Sequence, residues 1–355
     1  MTRYIVRRVL VIPLILFGAT LLVFFFLQFL SPTERSALWL RDLPKNQAAW
    51  DAVIKKYCLD CPIHIQYWNW LVGVKDPMTG KITGGVLRGD LGYSRTGNEA
   101  VVDVIKRRFP ATLELALWAV IPVIGGGIWL GVQSAVHHNK PIDQISRVFS
   151  IVGWSFPTFV FGLLILMFFY AKLQWFLPGR LSDWATAVVL DPKQFHAYTQ
   201  LNTIDSLLNG RFDILWDSVR HLILPVLTLA YVDWALLLRV TRSSMLETLR
   251  QDYVTTARAK GLAEKTVINT HARPNALIPV ATTAGFTVIV LLNGVVITET
   301  VFNYPGIGSA AAEAAVNLDV VTTLGFILFN GVILILANLI VDILYVLIDP
   351  RVTLD

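Results

Sequence analysis

Six apolar runs, each long enough to cross a bilayer, govern what this chain can fold into. They fall at 9–30, 112–136, 147–170, 221–241, 277–301 and 320–348 of its 355 residues. A helix needs about 20 mostly apolar residues to span the hydrocarbon layer. Inside lipid every backbone N–H and C=O must find an internal partner, so runs of this length are helices. The short alternating stretches of an outer-membrane barrel are missing from the sequence. Composition agrees: 55% of the residues are hydrophobic, 15% are charged, and the mean hydropathy is +0.59. The chain is therefore read as an all-α integral membrane protein with six transmembrane helices.

The first run follows Arg3, Arg7 and Arg8. It is too long for the apolar core of a secretory signal, and no small-residue cleavage site follows it. It is read as an uncleaved first span whose N-terminus lies inside. Six crossings return the C-terminus to the cytoplasmic side. The segment 242–276, placed inside, carries Arg242, Arg250, Arg258, Lys260, Lys265 and Arg273, whereas the last outside loop, "NYPGIGSAAAEAAVNLD", has no Lys or Arg. This asymmetry obeys the positive-inside rule. The segment 31–111 does hold basic residues, but loops beyond about 60 residues report orientation poorly. The pI of 9.2 follows from topology and calls for no nucleic acid.

The organisation read from this is a cytoplasmic N-terminus and first span (1–30), an extracytoplasmic cap loop (31–111), and a core of five further spans (112–355) with a cytoplasmic elbow at 242–276. In the cap, "TGNEAVVDVIKRRF" predicts an amphipathic helix with Val101, Val104 and Ile105 on one face, ending at Lys106, Arg107 and Arg108. "CLDC" sets Cys58 and Cys61 near His64. Two cysteines are too few for a Cys₄ zinc site. An extracytoplasmic position suits a local disulfide, with free thiols or a metal as the other readings. Pro122, Pro157 and Pro225 interrupt spans and predict kinks.

The elbow is too polar to span. "SSMLETLRQDYVTTARAKG" contains good helix formers, with Gly261 placed to stop the helix. "AEKTVINTHA" predicts a second short helix, ended by Pro274. Two readings stand side by side: a rigid handle that receives force from a soluble partner, or a basic loop that only satisfies topology. Asp233 lies within a span, where a carboxylate is costly and usually faces a cavity or a partner. It either lines a pathway and meets a cationic group, or it is a protonated or paired structural residue. Asn293 is a candidate for interhelical contact or the pathway. Asp342, nearer the cytoplasmic end, is read as structural. No Ser–His–Asp set, paired carboxylates, metal-ligand cluster or Gly-x-x-x-x-Gly-Lys-[Ser/Thr] phosphate loop is visible, so neither catalysis nor ATP hydrolysis is expected of the chain itself.

"TTARAKG", followed after a turn by "HARPN", resembles the cytoplasmic coupling motif of ATP-binding-cassette importer permeases. Ala257, Gly261 and Pro274 match that motif's Ala, Gly and Pro, while Thr255, Thr256 and Arg273 replace its Glu, Ala and Leu. The missing Glu puts any inherited salt bridge in doubt, although Asp252 lies close enough to substitute. In order along nearly the whole chain, "GDLGYSRTGNEAVVDVIKRRFPATLELAL", "FPTFVFGLLIL", "HLILPVLTLA", "NALIPV", "ETVFNYPGIGSAAAEA" and "NLIVDILYVLIDPR" resemble the B-type membrane subunit of dipeptide and oligopeptide importers.

The resemblance implies a type I ABC importer permease fold with both termini cytoplasmic, in a prokaryotic inner membrane. It implies a paralogous permease subunit, two cytosolic ATPases that hold the ATP and Mg, and an extracytoplasmic substrate-binding protein. The ATPase-coupling residues would be Asp252, Tyr253, Thr256, Ala257, Arg258, Ala259, Gly261, Leu262 and Pro274, with Pro305 and Gly306 at an outer gate. Peptides are the expected cargo; similar permeases carry oligosaccharides, opines or nickel complexes. The second outside loop looks longer than the family pattern. An ion-coupled carrier using Asp233 and Asp342 would need inverted repeats, and none is visible.

Overall fold

The fold comes from a computed structural model that describes residues 2–40, 46–75, 80–293 and 295–348. Contacts divide the chain into two compact units, Met1–Phe109 with Ala310–Leu336, and Pro110–Ser309 with Ala337–Asp355.

The first unit begins with α1 (Thr2–Leu27), whose Val23, Phe24 and Leu27 form a core with Trp70, Leu324 and Leu328. Helix α2 (Gln47–Tyr57) starts at Asn46, whose side chain accepts the Ala49 N–H at 2.8 Å. It ends at Cys58 in the left-handed conformation. The sulfurs of Cys58 and Cys61 are bonded, closing the turn into α3 (Ile63–Val72). Two short antiparallel ribbons follow, Val74–Lys75 with Ile82–Thr83 and Tyr93–Ser94 with Glu99–Ala100.

Val101, Val104 and Ile105 are buried on one helix face. The helix does not stop at Lys106, Arg107 and Arg108, however. It is the start of α4, Val101–Val136, which runs straight on into the second span. Lys106 and Arg107 serve neighbouring acids, Asp103 and Glu99, rather than a helix terminus. Pro110 lies inside this helix, where it removes one backbone hydrogen bond without ending it.

Asp319 precedes α13 (Val320–Ile348) and caps it, accepting from Thr322 N–H at 3.2 Å and Thr322 Oγ1 at 2.7 Å. It also accepts from the Thr96 N–H at 3.0 Å and Ser94 Oγ at 3.3 Å, fastening the ribbon loop to the helix start. Burial opposes its ionisation, but the hydrogen bonds from Thr96 and Thr322 prevail and hold the carboxyl below its ordinary value. A lowered carboxylate stabilises fully above its unfolded value of about 4 and loses that contribution as pH falls through the folded value. Asp319→Ala is expected to cost about 1–2 kcal/mol at pH 7. The thermal midpoints of variant and parent should converge in acid below the folded value; a gap independent of pH would contradict this.

In the second unit the expected third span, 147–170, is not one helix. It is α5 (Pro141–Ser155) and α6 (Thr158–Leu166, continued by wide turns to Lys172), bent by 102°. Pro157 explains the break: the residue before proline is forced out of the helical region, and Phe156 has ψ 124°. Helix α7 (Asp183–Val189) and α8 (Asn202–Leu208) occupy the second outside loop. The fourth span, α9 (Phe212–Thr248), overruns its predicted limits at both ends. Its length, about 55 Å at 1.5 Å per residue, exceeds the ~30 Å hydrocarbon layer. The predicted fifth run, 277–301, also divides: its helix ends at Leu292, and Val296–Val301 forms a separate turn of helix, α12. Among the described residues, five helices are long and apolar enough to span, six if the bent pair counts as one crossing.

Candidate functional site

The elbow is built as a cap on the ends of the spans. Helix α10 (Asp252–Ala259) buries Val254 and Ala257. They join Val132 and Ala135 of α4, Met245 of α9, and Val267, Ala272 and Ala276 of the following helix in one apolar cluster. The i, i+3 spacing of Val254 and Ala257 fixes which face turns inward. Ala257 is therefore small because it packs on its own base. The face left outward carries Asp252, Tyr253, Thr256, Arg258 and Ala259, all exposed.

The helix ends in a Schellman motif. The Gly261 N–H donates to Arg258 O at 2.9 Å, and the Leu262 N–H to Ala257 O at 3.4 Å. Gly261 has φ +75°, which glycine adopts without strain. Leu262 is thereby turned outward and is 41% exposed, as Tyr253 is 44% exposed. Arg258 donates two hydrogen bonds to Glu264, at 2.7 and 3.1 Å, tying the elbow helix to the next one. Asp252 makes no ion pair among the described residues; it sits in the first turn, where the helix dipole favours a carboxylate.

Pro274 does not end the second short helix. The backbone is helical from Glu264 to Leu292 (α11), and Pro274 lies in the first regular turn after six residues of wider winding, Val267–Ala272. Wider turns take up the missing N–H and the ring without a stop. The elbow is thus continuous with the fifth span.

A second anchor holds its base. Asp143, fully buried, accepts from Arg242 Nε at 2.7 Å and Nη2 at 2.9 Å, from Ser134 Oγ at 2.6 Å and from the Asn139 N–H at 3.0 Å. These contacts join the ends of α4, α5 and α9. In the sequence Arg242 registers only as one positive charge among several.

On the opposite side of the spans, "ETVFNYPGIGS" folds around Glu299. This buried carboxylate accepts from Thr112 Oγ1 and the Ser309 N–H, both at 2.8 Å. A Cβ at Gly306 would overlap Glu299 and Thr112 Oγ1. Gly306 is therefore buried scaffolding of the turn, while Pro305 beside it stays half-exposed. Gly306→Val should displace Glu299 and cost about 2–4 kcal/mol through overpacking and lost hydrogen bonds. A thermal midpoint as little changed as that of Glu313→Ala, at an exposed acid, would contradict the packing.

Next to it Glu114, inside the second span and 1% exposed, takes Arg180 Nε at 2.9 Å and Nη2 at 2.8 Å on Oε2. Its Oε1 accepts from the Thr203 N–H at 2.7 Å and Oγ1 at 2.9 Å. The fully buried Tyr304 hydroxyl stands 3.4 Å away. Glu114 and Arg180 were not among the residues the sequence singled out. The signal was there, a carboxylate in an apolar run, the same one that drew attention to Asp233.

Asp233 is half-buried on α9 and makes no hydrogen bond or ion pair among the described residues. Asn293 donates back to Ile289 O of its own helix at 2.9 Å. The side chain of Asp342 lies outside the described residues. Among those described, no three His, Cys, Asp or Glu side chains cluster as metal ligands would.

Comparison with known proteins decides the family. Residues 127–354 match the family described as "Binding-protein-dependent transport system inner membrane component", and residues 1–116 match its N-terminal counterpart. The chain belongs to this family of permeases. It is 40% identical over 296 residues to a probable D,D-dipeptide transport system permease protein of Escherichia coli K12, covering 83% of this chain and 81% of that one. It is 37% identical to a di/tripeptide transport system permease protein of Pseudomonas aeruginosa UCBPP-PA14, over 99% of both chains. An oligopeptide transport system permease protein of Bacillus subtilis 168 is 34% identical, again over 99% of both. Among solved structures, a methionine ABC transporter captured in inward-facing conformations matches with TM-score 0.50 at 13% identity, over 69% of this chain and 96% of that one. That likeness gives the type I importer permease fold. The permease is a multi-pass integral membrane protein whose elbow lies at the end of its fourth and fifth spans.

Proposed function

We propose that this permease is one of two similar membrane subunits of a peptide importer in a prokaryotic inner membrane. In this reading two cytosolic ATPases hold ATP and Mg and grip the elbow, and an extracytoplasmic binding protein delivers the cargo. The permease hydrolyses nothing itself. One observation carries the proposal: the elbow exposes Tyr253 and Leu262 on a handle whose inner face is fused to the ends of three spans. A force applied there reaches α4, α9 and α11 together, which suits rigid-body exchange of outward and inward access. The relatives' printed cargoes, dipeptides, di/tripeptides and oligopeptides, support peptides over sugars, opines or nickel complexes.

The test is disulfide or bifunctional cross-linking from Leu262→Cys in native membranes, combined with uptake of labelled dipeptides. The expected result is a cross-link to a nucleotide-binding protein and uptake that needs both that protein and external binding protein. Transport by the purified permease alone would overturn the proposal.

A further inference from the structure

Helix α3 falls in the segment read from sequence as a cap outside the membrane, yet it carries no Asp, Glu, Lys or Arg. Its neighbour α2 carries Asp51, Lys55 and Lys56. One face of α3 is seated on α1. Tyr67 lies edge-on to Phe17 and Phe24, with ring centroids 6.1 and 5.2 Å apart, and its hydroxyl is 2.9 Å from Thr20 Oγ1. Trp70 is buried 5.6 Å from the ring of Phe24. The other face should be polar if it met water. Instead Ile65 and Trp68 come out together at helical spacing, 39% and 62% exposed, with His64 the polar residue beside them. An uncharged helix that exposes Ile and Trp beside a single His suits the boundary between lipid and water.

The depth of the contacts selects lipid. The α1 residues that Tyr67 touches belong to the membrane span Leu10–Leu27. At 1.5 Å per residue Thr20 lies about 10 Å and Phe17 about 15 Å inward of its outer end. A polar level fixes the other limit: Arg35 Nη1 donates to Gln28 at 2.7 Å and to Gln66 of α3 at 2.5 Å, just beyond the end of α1. Helix α3 therefore lies at the boundary between acyl chains and headgroups, with its aromatic residues reaching down along the span. Helix α1 itself exposes Leu21, Leu22 and Phe25.

We infer that α3 is an interfacial helix lying in the outer leaflet, with Ile65 and Trp68 against lipid. Such helices bury their apolar face about 5–10 Å into the headgroup region, and tryptophan is enriched at that level. The inference is independent of cargo and of the ATPase reading.

Nitroxide labels at Ile65→Cys and Trp68→Cys test it, in the full-length permease reconstituted in phosphatidylcholine vesicles with the subunits that purify with it. Cys58 and Cys61, being bonded to each other, do not compete for the label. Collision with oxygen is measured against collision with a water-soluble nickel chelate. Leu22→Cys on α1 serves as the lipid reference and Asp51→Cys on α2 as the water reference. Both α3 positions are expected to match Leu22, with oxygen-to-nickel ratios several-fold above that of Asp51. Ratios that match Asp51 overturn the inference, as do low collision rates with both reagents, which would mean that protein covers the face. Both substitutions are at exposed positions, so neither removes a core contact.

Discussion

Substituting both Tyr253 and Leu262 by alanine is expected to cut uptake at least tenfold while leaving the amount of folded permease in the membrane unchanged. The two halves of this outcome have separate causes. In the permease alone both side chains are more than two-fifths exposed, so their removal opens no cavity. In a complex, burying an apolar side chain of this size stabilises by roughly 1.5–3 kcal/mol. About two-fifths of each side chain is left to bury, so losing both anchors weakens docking by about tenfold or more, since each 1.4 kcal/mol is a factor of ten. Val254→Asp is the instructive contrast: it strikes the buried face and should reduce the amount of folded protein. Wild-type uptake by the double variant would mean that the exposed face of the elbow is not where force enters.

The second large effect concerns Glu114. Arg180→Met is expected to destabilise the second unit by about 3–5 kcal/mol, because it leaves a carboxylate buried without its cation. The Thr203 hydrogen bonds remain but do not neutralise the charge. Burial works against the Arg180 guanidinium, and the neighbouring Glu114 charge more than offsets it, so its proton is held more tightly than usual. The measurement is the thermal midpoint of the purified permease, with Lys193→Met as an exposed control. Replacing Glu114 and Arg180 together by methionine should recover much of the loss, since paired apolar groups leave nothing unsatisfied. An Arg180→Met midpoint equal to the control would show that the pair does not hold the outer loop to the spans.

Several features were legible in the sequence because their causes are local. Apolar runs report the bilayer. Gly261 reports a left-handed residue at a helix end, and the φ of +75° is what the spacing implied. The amphipathic pattern of Val101, Val104 and Ile105 gave the right buried face. Errors came where a local signal competed with a longer one. Pro157 breaks its span whereas Pro274 does not, because only the latter follows wide turns that absorb the ring. The stop read at Lys106, Arg107 and Arg108 failed because Lys106 and Arg107 pair sideways and the apolar run beyond Pro110 carries the helix on.

By itself the sequence determined that this chain lives in a membrane, how many apolar runs it has, which face of the helix at Val101, Val104 and Ile105 is apolar, and which family it belongs to. These depend on composition, on periodicity and on residue order, all of which a linear string carries. Only the tertiary structure decided that Glu114 meets Arg180 and Thr203, that Glu299 seats the turn at Gly306, that Asp143 holds Arg242, and that α3 rests against a span. The physical reason is common to all four. A buried charge or an uncharged, largely apolar helix is a liability until another segment satisfies it, and which segment does so is set by packing between residues far apart in the chain.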